Sequence, residues 1–259
     1  MKKSSKERMR FEAQELMWEA METISAGNLK RAETLCQKAI EIYPDCVDAL
    51  IMLADLTADL TIDYVADLRT AVEAGRRDLG AKVFKELRGN FWGFTETRPF
   101  MRAMEQLALA FVGWGTPEAL DEAIQIFEEM LELNPNDNQG VRDWLVSCYL
   151  ACKRYDDASS IFDRYPDDWL ATTAWAKVLL HHATKNEALA SESLRQAREC
   201  NPHVEPYLTG RKRRPRSRPG SYTPGDESEA SYTTDILWAA WKAHPKTKAW
   251  LKNASAATD

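Results

Sequence analysis

Cys148 and Cys152 stand four residues apart, the spacing at which two thiolates on one helix face can share a metal or act as a redox pair. A structural zinc site needs four ligands, and no second Cys or His pair lies at ligand spacing. His181 and His182 are adjacent, so on a helix they point to different faces. These four side chains are expected to pack and not to react. Asp55, Asp59, Asp63 and Asp67 recur every fourth residue, and one continuous helix would gather them into a carboxylate stripe for a metal or a basic peptide. No glycine-containing calcium loop surrounds them, so the stripe reads as an acidic surface, and no metal or cofactor is expected.

Enzyme signatures are missing. There is no phosphate-cradling glycine-rich loop, no HExxH, no GxSxG and no strand pattern to carry a nucleotide site. No catalytic residue is expected, and an unfamiliar active site is the less favoured alternative.

The strongest local charge is GRKRRPRSRPG (210–220), with Arg211, Lys212, Arg213, Arg214, Arg216 and Arg218. The chain as a whole has 34 Lys and Arg against 40 Asp and Glu, a net charge of −6, and without this segment the body carries about −12. Such a body repels phosphate backbones, so nucleic-acid binding would rest on this one patch, which lacks the interleaved aromatics of a single-strand binder. Pro215, Pro219 and Pro224 make 209–225 a non-helical joint. Three readings stand: a solvated linker, a docking site for an acidic surface (a partner's, or the chain's own Asp55/Asp59 face), and a nucleic-acid grip or nuclear address. A protein or peptide partner is expected ahead of nucleic acid.

The elements that position these residues follow from a repeat. Ala32/Cys36/Ala39/Pro44, Ala123/Phe127/Met130/Pro135 and Ala190/Leu194/Ala197/Pro202 share steps of four, three and five. The first three residues of each set fall on one helix face, and the proline ends the helix. Each set marks the second helix of a hairpin. The first helices read as Met104/Leu107/Ala108/Phe111, Leu50/Leu53/Ala54/Thr57 and Leu145/Val146/Tyr149. In AGNLKRAETLCQKAIEIYP (26–44), Gly27 and Asn28 form the turn between the two helices of a hairpin.

This pattern resembles the tetratricopeptide repeat, which implies an all-α, right-handed solenoid and peptide binding on the concave wall lined by first helices. Five hairpins are expected, at about 12–45, 46–75, 99–136, 139–166 and 169–202. Residues 1–11 are then a basic tail, 12–208 the repeat region with an insertion at 75–99, and 226–259 capping helices. In the insertion, Phe91, Trp92 and Phe94 are expected to plug the gap in repeat stacking. Trp238 and Trp241 should form the buried stripe of a cap ended by Pro245, with Trp250 on a short final helix.

A narrower resemblance spans about residues 98–250. Asn201, Pro202, His203, Val204, Tyr207, Leu208, Gly225, Asp226, Ser228, Glu229 and Ala230 are similar to the end of the repeat region in the suppressor of tumorigenicity 7 family. The chain lacks that family's membrane segments and has one residue inserted between Asp226 and Ser228. The resemblance implies a non-catalytic repeat protein and supplies no ligand.

The expected function is a protein- or peptide-binding scaffold, a subunit or regulator of a larger complex. In repeat register its wall comprises Met17 and Met21, then Asp48, Ile51, Asp55 and Asp59, then Arg102, Glu105 and Leu109, then Asp143 and Ser147, then Thr173 and Lys177. Arg211 to Arg214 are added as the candidate docking patch. Five cysteines in no scaffold spacing fit a reducing compartment. The most apolar run, LALAFVGW, is too short to span a bilayer, and MKKSSKERMR is followed by no apolar signal core, so a cytoplasmic protein is expected.

Overall fold

In a computed structural model that describes residues 5–58, 61–214 and 220–256, the expected seams are the helix contacts. The helices run in hairpin order: α1 (Ser5–Ser25) packs on α2 (Leu29–Ile42) and α3 (Val47–Thr57) on α4 (Thr61–Leu87), and α5 (Arg98–Trp114) and α6 (Pro117–Leu133) come next along the chain. They continue with α7 (Val141–Ala151) and α8 (Tyr155–Arg164), then α9 (Ala171–Ala183) and α10 (Glu187–Cys200). α11 (Val204–Thr209), α12 (Glu227–Ala243) and α13 (Pro245–Ala256) follow, and no strand occurs among the described residues. The fold is the all-α helical repeat.

The repeat residues are buried for the reason their spacing suggests. Ala32, Cys36 and Ala39 on α2, Ala123, Phe127 and Met130 on α6, and Ala190, Leu194 and Ala197 on α10 are all buried. Small side chains in these rows let neighbouring helices approach closely. Asn28 and Asn186 cap the second helices of the first and last hairpins, accepting from the Arg31 and Leu189 N–H groups at 3.2 Å.

The chain divides into two compact units, residues 1–114 with 125–139, and 115–124 with 140–259. In the first unit, α1 begins at Ser5, so residues 5–11, expected as a tail, are its opening turns. The reason is charge: Lys6 and Arg10, one turn apart, reach the sequestered Asp78 of α4 at 3.1 and 3.4 Å. Much of the expected insertion is a continuation of α4, which leaves helical geometry at Gly80 (φ 70°, ψ 162°), a conformation that favours glycine. Beyond it Phe84, Phe91 and Phe100 pack ring to ring at 5.1–6.3 Å. Phe91 is fully buried, whereas Trp92 is partly exposed beneath the Arg98 guanidinium. Gly75 makes room for this cluster, since a Cβ there would sit 2.8 Å from the Phe100 ring.

In the second unit the two capping helices are present, and Pro245 opens α13 directly after α12 ends. α12 lies along α7 and α9, the first helices of its two hairpins. Its buried stripe, Ala230, Thr233, Leu237, Ala240, Trp241 and His244, repeats at helical spacing. It therefore covers the inner wall of this unit.

Candidate partner-binding wall

In the first unit, α1, α3 and α5 line an open groove of about 720 Å³. It brings together Met17, Met21, Asp48, Ile51, Asp55 and Arg102, six residues that the repeat register had placed on one wall. The groove is mostly apolar. Met17 forms its floor, Met21 is 55% exposed, and Trp18, which the register reading missed, is 53% exposed beside it. A signal for Trp18 was present, because Phe11, Gln14, Trp18 and Met21 follow steps of three, four and three along α1.

Two carboxylates stand at the rim in different states. Arg102 clamps Asp48 through both Asp48 oxygens, with Arg102–Asp48 distances of 2.7, 2.8 and 3.2 Å, which neutralises the pair. Asp55 accepts from the Tyr64 hydroxyl at 2.7 Å, a neutral donor that leaves the carboxylate charge in place. Burial and this hydrogen bond hold the Tyr64 phenol above its usual range, so it stays a donor. Glu105 lies outside the groove lining and accepts from Gln139 at 2.5 Å. Asp59 lies outside the described residues, and Asp63 and Asp67 are exposed on α4 while Asp55 is on α3. The fourfold aspartate spacing is thus broken between two helices, and among the described residues no cluster of three or more His, Cys, Asp or Glu side chains could hold a metal.

The wall residues expected in the second unit are placed differently. Asp143 is only 6% exposed, and Ser147 donates to the Ile236 carbonyl of α12 at 2.6 Å. Thr173 is buried, and Lys177 lies over the Phe162 ring of α8 at 5.3 Å. On α9 it is Thr172, one position away, whose hydroxyl meets Thr233 of α12 at 3.3 Å. Ser147 is therefore not open to a partner, because α12 of the same unit has taken the wall it was expected to present, and Asp143 is buried as well. The cause lies downstream, in the 17 residues of α12.

The two segments that carry the narrower resemblance, NPHVEPYL (201–208) and GDESEA (225–230), hold that arrangement. Glu229, 2% exposed, accepts from Gly225 N–H at 2.7 Å, Asn201 Nδ2 at 2.9 Å and Ala171 N–H at 3.3 Å. Asn201 Nδ2 also donates to the Asp226 carbonyl, and the Asn201 carbonyl accepts from buried Trp175 Nε1 at 3.1 Å. Glu205 is held by Arg198 at 2.7 and 2.9 Å and by the Ser255 hydroxyl of α13. Burial raises its pKa, but these donors outweigh that and leave it below the usual range.

Most of the described basic joint is spent inside the unit. Arg211 lies 3.8 Å from Glu205, Lys212 2.7 Å from Glu227 and Arg214 3.0 Å from Asp235. Arg213 is exposed. Arg216 and Arg218 lie outside the described residues. Acids of the neighbouring segments of the same unit meet Arg211, Lys212 and Arg214. Cys148 is buried, and burial raises both its thiol and that of Cys152 above the usual range, so neither is an activated thiolate. No helix among the described residues is long and apolar enough to cross a membrane.

A family model described as tetratricopeptide repeat matches residues 118–179, from α6 into α9. No curated protein matches the chain. Among solved structures, one described as "Functional Characterization of Pseudomonas Aeruginosa pilF" is similar at 18% identity, covering 76% of this chain and 93% of that one, with a TM-score of 0.33.

Proposed function

We propose that this chain is a non-catalytic scaffold that binds a protein or peptide on the α1/α3/α5 wall of its first unit, as a subunit or regulator of a larger assembly. The observation that carries the reading is the groove itself, with Trp18 and Met21 more than half exposed over a floor of Met17 and Ile51. Large apolar side chains gathered on one concave surface characterise interaction sites. The tetratricopeptide match supports the same kind of role. The likeness of about residues 98–250 to the suppressor of tumorigenicity 7 family belongs to this proposal too, supported by the joint use of Asn201, Asp226 and Glu229 in one buried network.

Quantitative affinity capture from the native cell tests it, comparing wild type with Trp18→Glu/Met21→Glu and with Arg195→Ser, an exposed control in the second unit. The expected result is a partner kept by the control and lost by the groove variant. Equal capture by all three proteins overturns the reading.

A further inference from the structure

We propose that the groove takes a partner's amphipathic α-helix of about four turns, its apolar stripe against Trp18 and Met21 and a lysine or arginine against Asp55. This rests on the groove being the binding surface and goes beyond it in naming the occupant.

The first argument is the molecule's own second wall. There the first helices α7 and α9 are covered by a helix, α12, whose stripe of Ala230, Thr233, Leu237, Ala240 and Trp241 is buried. A helix satisfies its backbone internally, so the wall beneath it need supply only apolar surface and an occasional hydroxyl, as Ser147 and Thr172 do. An extended peptide would need donors and acceptors for each of its backbone groups. The first unit's groove offers only Gln14 and Gln106 beside Asp55 and the paired Asp48 and Arg102, and the rest of its lining, Met17, Trp18, Met21, Ile24, Ile51, Met52 and Leu56, is apolar. Methionine side chains suit a helix, since they adapt to the relief of a partner's stripe.

Charge sets the polarity of the partner. Asp48 and Arg102 cancel, while Asp55 keeps its charge under a neutral hydroxyl. The lining is thus net acidic, and a cation on the incoming helix completes it. Dimensions agree. Neighbouring helix axes lie about 8–10 Å apart, so three first helices span roughly 20 Å, which a helix rising about 1.5 Å per residue crosses in about 13 residues.

A phage-displayed library of 17-residue peptides, selected on the full chain, tests the proposal. Trp18→Glu/Met21→Glu is the counter-selecting protein, its fold checked by circular dichroism, since both positions are exposed. Enriched peptides should carry an apolar stripe at three- and four-residue steps and a basic residue. A synthetic copy should become helical on binding, bind Asp55→Lys about tenfold more weakly, and lose binding when proline is placed at its centre. Groove-dependent peptides that tolerate central proline, or that bind Asp55→Lys equally well, overturn the helical or the cationic assignment while leaving the groove reading intact. If no peptide depends on Trp18 and Met21, the groove reading itself falls.

Discussion

The two units present the same kind of wall in opposite conditions. In the first, α1, α3 and α5 leave Trp18 and Met21 exposed over a groove; in the second, α7 and α9 carry α12, and Asp143 and Ser147 are sealed. The contrast teaches that repeat register identifies a surface without saying whether that surface is free. In the second unit the covering helix is anchored by buried polar bonds through Glu229, Asn201, Thr233 and Ile236. A wall held that way is structural. The first wall has only a rim of polar groups, which leaves it available.

The largest expected effect comes from removing the cover. Deleting residues 226–259 strips Leu237, Trp241 and Leu251 from the second unit and leaves the Asn201 amide without Glu229. Loss of its cooperative melting transition and aggregation are expected, a cost above about 5 kcal/mol, the scale of a whole domain's stability. An unchanged, monodisperse truncated protein would erase the distinction between the walls.

Next in size is Glu229→Ala, which leaves three N–H donors around a buried site unpaired. About 3 kcal/mol of destabilisation is expected in chemical denaturation, since each buried unsatisfied group costs about 1–3 kcal/mol and water entry recovers part of the loss. A value below about 1 kcal/mol would show that α12 is held by apolar contact alone.

Acidification should act more gently and on the second unit, where all four histidines lie. Burial lowers the pKa values of His181, His182 and His244. His244 Nδ1 donates to the Ala240 carbonyl at 2.8 Å, so Nε2 is left to accept from Tyr155 at 3.0 Å, and the neutral ring fits the site. Because the unfolded chain binds these protons more readily, the stabilisation is present above about pH 6.5 and is lost as pH falls below it. Glu205, with a lowered pKa, adds a second loss below about pH 4.5. A melting temperature flat from pH 7.5 to 5.5 would contradict the histidine part.

The smallest effect is expected on the open wall. Trp18→Ala and Met21→Ala should each change stability by no more than about 0.5 kcal/mol, as exposed positions do, while weakening partner capture. A loss above about 2 kcal/mol in thermal melts would mean that these side chains are core, and the groove would not be a site.

Much of this was legible in the chain. An alanine, a large residue four on, a small or apolar one three further and a proline five beyond mark the seams of α2, α6 and α10, because helix periodicity and proline's missing N–H are local facts. Register also placed Met17, Ile51, Asp55 and Arg102 together. What it did not reveal was the fate of Asp143 and Ser147. The stripe through Leu237 and Trp241 announces an amphipathic helix, but an apolar stripe carries no address, and its landing place depends on bonds such as Ser147 to Ile236, 89 residues apart. Similarly, six cations within eight residues suggested a docking patch, whereas Glu205, Glu227 and Asp235 were unremarkable in sequence and are the partners of Arg211, Lys212 and Arg214.

The separation between α7 and its cover also has a meaning in time. Hairpins of the first unit close between neighbours, such as α1 with α2, so they can form as soon as each second helix is made. At roughly 5–20 residues per second of synthesis, α12 is completed on the order of ten seconds after α7. Once α9 is made, a growing chain carries two bare walls, and only the arrival of residue 243 makes one of them different from the other.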